Sequence, residues 1–199
     1  MPEARPGNAA AITGSTVNLN PRVDPFERRP APGVVDLRPA VPADLATLRR
    51  WDRDPDVRSS LIDSDWHWES ELLRQPSWRE WLIAEVDGRP IGFIQIIDPE
   101  HEETKYWGCM KAGHRAIDIW IGEPEARSHG YGAQMMEKAI GRCFADPSVH
   151  TILIDPLASN TRSHRFYERL GFEFVVERTF GEDCCRVYKL TRAGKAAVN

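Results

Sequence analysis

Trp120-Ile-Gly-Glu-Pro-Glu-Ala-Arg127-Ser-His129-Gly130-Tyr131-Gly132-Ala133-Gln134 is the stretch that decides how this chain folds. A β-branched, half-apolar run ends here, Arg127-x-x-Gly130-x-Gly132 follows, and a helical pattern opens directly. Such a turn can aim several free backbone N–H groups at one anion, with the positive end of the helix behind them. Two glycines one residue apart remove the side chains that would hold a phosphate at a distance. Alone, the turn is an unspecific signal. A second cluster downstream, Asp155-Pro156 to Asn160 to Tyr167 to Gly171-Phe172, sharpens it.

The chain is long enough for one domain with a proper core: 199 residues, 41% hydrophobic, 28% charged, formal net charge −4. Mild acidity argues against nucleic-acid binding, which leaves a basic stripe, and suits a cationic small molecule. No apolar run reaches bilayer-spanning length, and no secretory h-region follows the start, so a cytoplasmic protein without a membrane partner is expected. The four cysteines show no Cys-x-x-Cys spacing, and Cys184 and Cys185 are adjacent. That suits neither a structural metal clamp nor a disulfide framework; no metal is expected.

Outward from the turn, residues 135–143 trace one helix face through Met135, Met136, Ala139, Ile140 and Cys143. Upstream, 34–39 reads as a strand and 42–51 as a helix, followed by a second helix at 69–74. Strands at 81–86 and 90–97 form a hairpin about Asp87-Gly88. A polar loop occupies 98–114, and a strand 116–121. Downstream come a strand at 151–154, a helix at 160–170 stopped by Gly171, and a closing hairpin of 172–180 and 186–190. This is a mixed α/β arrangement; Rossmann order fails because the glycine turn sits mid-chain after an antiparallel stretch. Residues 1–33, rich in Pro, Ala, Gly, Asn and Arg, read as a mobile tail, 34–190 as one domain and 191–199 as a short C-terminal tail.

These motifs resemble the GCN5-related N-acetyltransferase (GNAT) superfamily, whose central signature is Gln/Arg-x-x-Gly-x-Gly/Ala. Arg115-Ala-Ile-Asp118, Ile154-Asp155-Pro156-Leu-Ala-Ser-Asn160 and Phe166-Tyr167-Glu-Arg-Leu-Gly171-Phe172 are similar to the aminoglycoside 6′-N-acetyltransferase branch. The resemblance spans about residues 34–190. It implies a GNAT fold, with a mixed central sheet, a splayed cofactor cleft and flanking helices, and acetyl-coenzyme A as cofactor. It further implies that the diphosphate rests on the backbone of His129, Gly130, Tyr131, Gly132 and Ala133, with Arg127 at the loop start. The pantetheine arm would lie along Ile119, Trp120 and Ile121 on a bulged strand, with Asn160 holding that arm or the following helix. Tyr167 would lie near the thioester sulfur, and Asp118 and Asp155 would face the acceptor amine.

The chemistry is consistent with those roles. An aliphatic amine is almost wholly ammonium at neutral pH, so transfer to it needs a carboxylate and a route for its proton. Asp118 and Asp155 would end adjacent parallel strands at one cleft edge. Asp155 also reads as a turn residue before Pro156, Asp118 as a solvent-facing strand residue, and Tyr167 as a core tyrosine. Trp66, Trp68 and Glu69 fall where an acceptor wall is expected, and rings beside Asp63, Asp65 and Glu69 would suit an aminated sugar; a packing role is equally open. Trp51, Trp78, Trp81 and Trp120 fit core faces, and His164 the outer side of its helix. The expected partner is a small polycationic amine, and the expected assembly a monomer or homodimer. Alternatives are a siderophore lysine arm, a protein N-terminus or a polyamine as acceptor, and a non-catalytic coenzyme A-binding scaffold.

Overall fold

Seven strands form one sheet, in the order β1-β2-β3-β4-β5-β7-β6. The computed structural model describes residues 33–60 and 66–198. The expected tail, Gly33 apart, and Asp63 and Asp65 lie outside the described residues.

The strands are β1 (Val35–Pro39), β2 (Arg79–Val86), β3 (Arg89–Ile97), β4 (His114–Ile121), β5 (Thr151–Ile154), β6 (Glu173–Phe180) and β7 (Asp183–Thr191). Every neighbouring pair is antiparallel except β4 with β5. Asp87 and Gly88 both take positive φ, 51° and 73°, which gives the β2–β3 turn the twist a two-residue hairpin needs. The helices are α1 (Leu45–Trp51), α2 (Pro55–Arg58), α3 (Trp68–Glu71), α4 (Tyr131–Ala145), α5 (Thr161–Arg169) and α6 (Arg192–Val198).

Strands β2 and β3 are buried on both faces, which explains their near-continuous apolar run. Leu82, Ala84, Ile94 and Ile96 join Met135, Met136 and Ile140 of α4 in one core. Ile83 and Phe93 point the other way, into a second core with Leu48, Trp51, Trp68 and Trp120. Burying these large side chains contributes about 1.5–3 kcal/mol each before entropy is charged against it. Gln134 on α4 ties in the sheet's first strand: its Oε1 accepts from the Val35 N–H and its amide donates to the Gly33 carbonyl.

Three departures from the sequence reading have local causes. Asp54 caps a one-turn helix, α2, by accepting from the N–H groups of Asp56 and Val57, a start signal followed by Pro55. The short C-terminal tail has regular structure: Thr191 completes β7 and α6 follows. Arg192 there donates to the carbonyls of Phe144, Asp146 and Val149, satisfying the C-terminal end of α4. The second helix is shorter than expected and begins at Trp68, after His67 in the left-handed region (φ 46°).

What positions the site is the single parallel pair. The β4–β5 register runs His114↔Thr151, Arg115↔Ile152, Ala116↔Leu153 and then stops. Strand β4 stays paired with β3 as far as Ile121. From Ile117 onward, the β5-side edge of β4 is therefore unpaired. The sheet splays there.

Candidate active site

Asp118 and Asp155 face each other across that splay. Each lies two residues past the last parallel pair, Ala116↔Leu153, so the shared register places both carboxylates on the same face of the sheet. Between them opens a cleft of roughly 270 Å³. Its acids are Glu102, Asp118 and Asp155, its rings Trp66, Trp78, Tyr106, Trp107 and Tyr167, and its amides Gln95 and Asn160. No lysine, arginine or histidine lines it among the described residues.

Burial and mutual repulsion govern the pair. Asp155 is buried, and that burial with the neighbouring Asp118 charge pushes its carboxyl up to about 7. The Tyr106 hydroxyl, donating to Asp155 Oδ2 at 2.6 Å, and the Arg178 charge pull the other way. Burial also raises Asp118, opposed by the Gln95 amide, which donates to its Oδ2 at 2.8 Å. Tyr167 is buried on α5, and burial plus the two carboxylate charges hold its phenol well above the ordinary range. Its hydroxyl makes no hydrogen bond among the described residues.

Asn160 accepts from the Ser163 N–H and so caps α5, while also lining the cleft. Trp66 lines the cleft as expected. Trp68 does not: it stacks beneath Trp66 at 5.2 Å, is buried in the second core, and its indole donates to Asp52. Glu69 is exposed and paired with Arg49, away from the cleft. Trp78, expected in the core, lines the cleft instead. His164 is buried rather than outward, its ring held by the Leu157 carbonyl and Arg186, because β7 covers that side of α5.

Several cleft residues escaped the sequence reading, among them Gln95 and a group in the 98–113 loop. Glu102 accepts from the N–H groups of Thr104 and Tyr106, folding the loop back on itself. Tyr106 then stacks on Phe180 at 4.3 Å and aims its hydroxyl at Asp155. Arg178 fixes the next residue by donating to the Trp107 carbonyl. The one signal in the sequence was a Tyr-Trp pair inside an otherwise polar stretch.

On the other side of β4 lies the glycine turn. Ser128 (φ 66°) and Gly130 (φ 83°) are left-handed, and the N–H groups of residues 128–132 donate to nothing among the described residues. They sit at the N-terminus of a 15-residue helix. This is a donor cluster suited to an anion such as a diphosphate. The Ala133 N–H, expected in the set, instead bonds to the Gly130 carbonyl. The Tyr131 side chain is buried in the core, so only its backbone is offered. Arg127 is not free for an anion. Its guanidinium donates to the carbonyls of Ile121 and Gly122 and pairs with Asp54 and Asp56, clamping the turn to α2 and the end of β4. His129 bonds back to the Arg127 carbonyl, and Arg162, unnoticed in the sequence, reaches the turn through Ser128 Oγ. Ile119, Trp120 and Ile121 line up along the unpaired edge of β4, with the Trp120 ring buried behind it. The expected bulge is absent from the β3–β4 register. The irregularity comes just after, where Gly122 and Glu123 both donate to the Ile91 carbonyl.

A splayed β4–β5 pair, with an N–H cluster on one side and buried carboxylates on the other, defines a group-transfer enzyme of the acyltransferase class. Residues 40–180 match the family model described as acetyltransferase (GNAT) domain, and the chain belongs to that family. It is 30% identical over 149 residues to aminoglycoside N(6')-acetyltransferase type 1 of Klebsiella pneumoniae, covering 70% of this chain and 74% of that protein. Among solved structures, aminoglycoside acetyltransferase AAC(6')-Ib in complex with coenzyme A and kanamycin superposes with a TM-score of 0.73 at 26% identity, over 82% of this chain and 98% of that one. An aminoglycoside N(6')acetyltransferase from Legionella pneumophila shares the fold, with a TM-score of 0.67 at 19% identity, over 83% and 96% of the two chains.

Proposed function

We propose that this chain is an aminoglycoside 6′-N-acetyltransferase that uses acetyl-coenzyme A. The observation that carries the reading is the placement of Asp118 and Asp155 opposite each other across the open edge of β4, in a cleft with no basic residue among the described residues. The sequence and structural relatives named above point the same way.

The N–H groups of residues 128–132 would hold the diphosphate, with Arg162 beside them, and the free edge of β4 would take the pantetheine. Bound acetyl-coenzyme A supplies the acetyl group as an activated thioester. The protein's part is to make the amine reactive. Asp118 and Asp155 attract the ammonium and orient it between them, while Trp66, Trp78 and Trp107 offer faces to an aminated sugar. Asp155, with a proton affinity near neutrality, is suited to take the amine's proton and release it again. Tyr167 keeps its proton on the phenolic oxygen at neutral pH and presents a donor to the cleft. No helix among the described residues is long and apolar enough to cross a membrane; this reading goes with action in the cytoplasm on a small diffusing polycation.

The test is release of free thiol from acetyl-coenzyme A by the purified full chain against a panel of amines. Aminoglycosides with a 6′-amine should be turned over, and those with a 6′-hydroxyl should not. Equal rates with both, or turnover confined to polyamines or hydroxylated lysine derivatives, would overturn the assignment.

A further inference from the structure

Trp81, Gln95 and Asp118 form a row of direct cross-strand partners on β2, β3 and β4, Trp81↔Gln95 in one register and Gln95↔Asp118 in the next. The indole Nε1–H donates to Gln95 Oε1 at 2.5 Å, and Gln95 Nε2 donates to Asp118 Oδ2 at 2.8 Å. Gln95 is buried, and no other side chain among the described residues donates to Asp118.

A glutamine amide can present either end to a neighbour, but an indole is a donor only. Trp81 therefore requires the carbonyl end of Gln95 and leaves only the NH₂ end for Asp118. That end can stabilise a carboxylate; it cannot accept from a carboxylic acid. Trp81 is itself held from behind. The Arg79 guanidinium lies 4.0 Å over its ring, and Arg79 is paired with Glu71 and donates to the carbonyls of Glu71 and Arg74. We propose that Trp81, outside the cleft, is a positioning residue that locks the Gln95 amide and thereby keeps Asp118 in its anionic, amine-binding form.

The other ionisable groups facing Asp118 do not supply this. Asp155 and Glu102 are acids, Tyr106 is already turned to Asp155, Tyr167 carries no positive charge, and Arg178 acts on Asp155. With burial disfavouring the charged form, the amide is the compensating donor.

The inference concerns the site assigned above, but its test needs no turnover. Carbon-13 titration of the Asp118 carboxyl would be followed in the full chain carrying Asp155→Asn, so that one carboxylate of the pair titrates alone. Trp81→Phe keeps the ring and removes the donor, so the amide can turn and accept from a protonated Asp118. The expected result is an Asp118 midpoint about half a pH unit or more above the parent. Gln95→Leu should raise it at least as much, and Trp81→Phe added to Gln95→Leu should add nothing, because Trp81 acts through Gln95. Should Trp81→Phe fail to fold, Gln95→Glu tests the same chain from its other end: it keeps the acceptor for the indole, removes the donor and must raise the midpoint further than Gln95→Leu. A Trp81→Phe midpoint equal to the parent, fully additive shifts, or a Gln95→Glu midpoint no higher than Gln95→Leu would overturn the proposal. In active enzyme with Asp155 intact, the acid limb of kcat/KM should move up with the midpoint in Trp81→Phe. Loss of turnover with an unmoved limb would count against the role of Trp81, whereas absence of turnover in the parent enzyme would count against the transferase reading alone.

Discussion

Asp155 carries a cost that makes its role measurable. Its carboxyl lies at about 7 in the folded protein against an ordinary value of 3.8. Between those values the folded state holds a proton that the unfolded state has released, so stability falls as pH rises from about 4 to 7. Asp155→Asn removes that liability while removing the proton acceptor. Its melting temperature should match the parent near pH 4 and exceed it at pH 8, by roughly 3–5 °C for each tenfold rise in proton affinity. Turnover should drop by about a hundredfold or more with coenzyme A binding nearly intact. Parallel melting curves at both pH values would show that Asp155 is not desolvated. At this scale the sequence was legible in placement: Asp118 on β4, Asp155 just past β5 and Tyr167 on α5 line one cleft. It was opaque where a side chain's direction depends on a distant partner. Trp68 and Trp66 are two residues apart, yet only Trp66 reaches the cleft, because the Trp68 indole is drawn to Asp52. Arg127 carries the charge expected of an anion ligand, but Asp54 and Asp56 claim it.

Elements with a strong period were read within a few residues. The buried face of α4, from Met135 to Cys143, is the one its spacing predicts. The glycine turn was legible because its requirement is conformational: Gly130 sits at φ 83°, where a side chain is strained. Gly130→Ala should cost on the order of 1 kcal/mol of stability. It should also tilt the N–H groups around it, so that the Kd for coenzyme A rises about tenfold while the KM for the amine changes little. Calorimetry with each ligand separates the two. Equal weakening of both, or of neither, would detach the turn from the cofactor. The 98–113 loop has no period to read. Its shape comes from Glu102 binding two backbone N–H groups and from Tyr106 stacking on Phe180, a residue far along the chain. Tyr106→Phe should preserve the stack and remove the donor to Asp155. The prediction is a higher midpoint for the acid limb of the pH profile of kcat/KM, since the Tyr106 hydroxyl lowers the proton affinity of Asp155. An unmoved profile would make Tyr106 a packing residue only.

The molecule as a whole is two sheet segments joined weakly at the place where the ligands are expected. Strands β1 to β4 form one antiparallel set and β5, β7 and β6 another, and only three register pairs connect them. Two cores carry the rest of the connection: the one beneath α4, with Ile152, Ile154 and Tyr188 from the second set, and another in which Trp107 and Ala116 meet Leu153, Phe180, Cys185 and Val187. A cofactor seated on the α4 turn and along the free edge of β4, against Asn160 and Tyr167 from the second set, would bridge the halves. Its binding free energy should therefore appear as global stability. At a concentration about a hundred times its Kd, coenzyme A should contribute about 2.7 kcal/mol. For a chain of this size that is a rise in melting temperature of roughly 5–10 °C. Adenosine diphosphate alone, which can reach the turn but not the splay, should give a smaller rise at the same multiple of its own Kd if the two halves melt separately, and an equal one if they melt as one unit. Differential scanning calorimetry distinguishes these outcomes by one transition or two. A single transition raised by both ligands places the splay inside one cooperative fold, held by the two shared cores rather than by the three-pair ladder. Two transitions, only one of which responds to adenosine diphosphate, would mean that the cleft is assembled by the pantetheine arm.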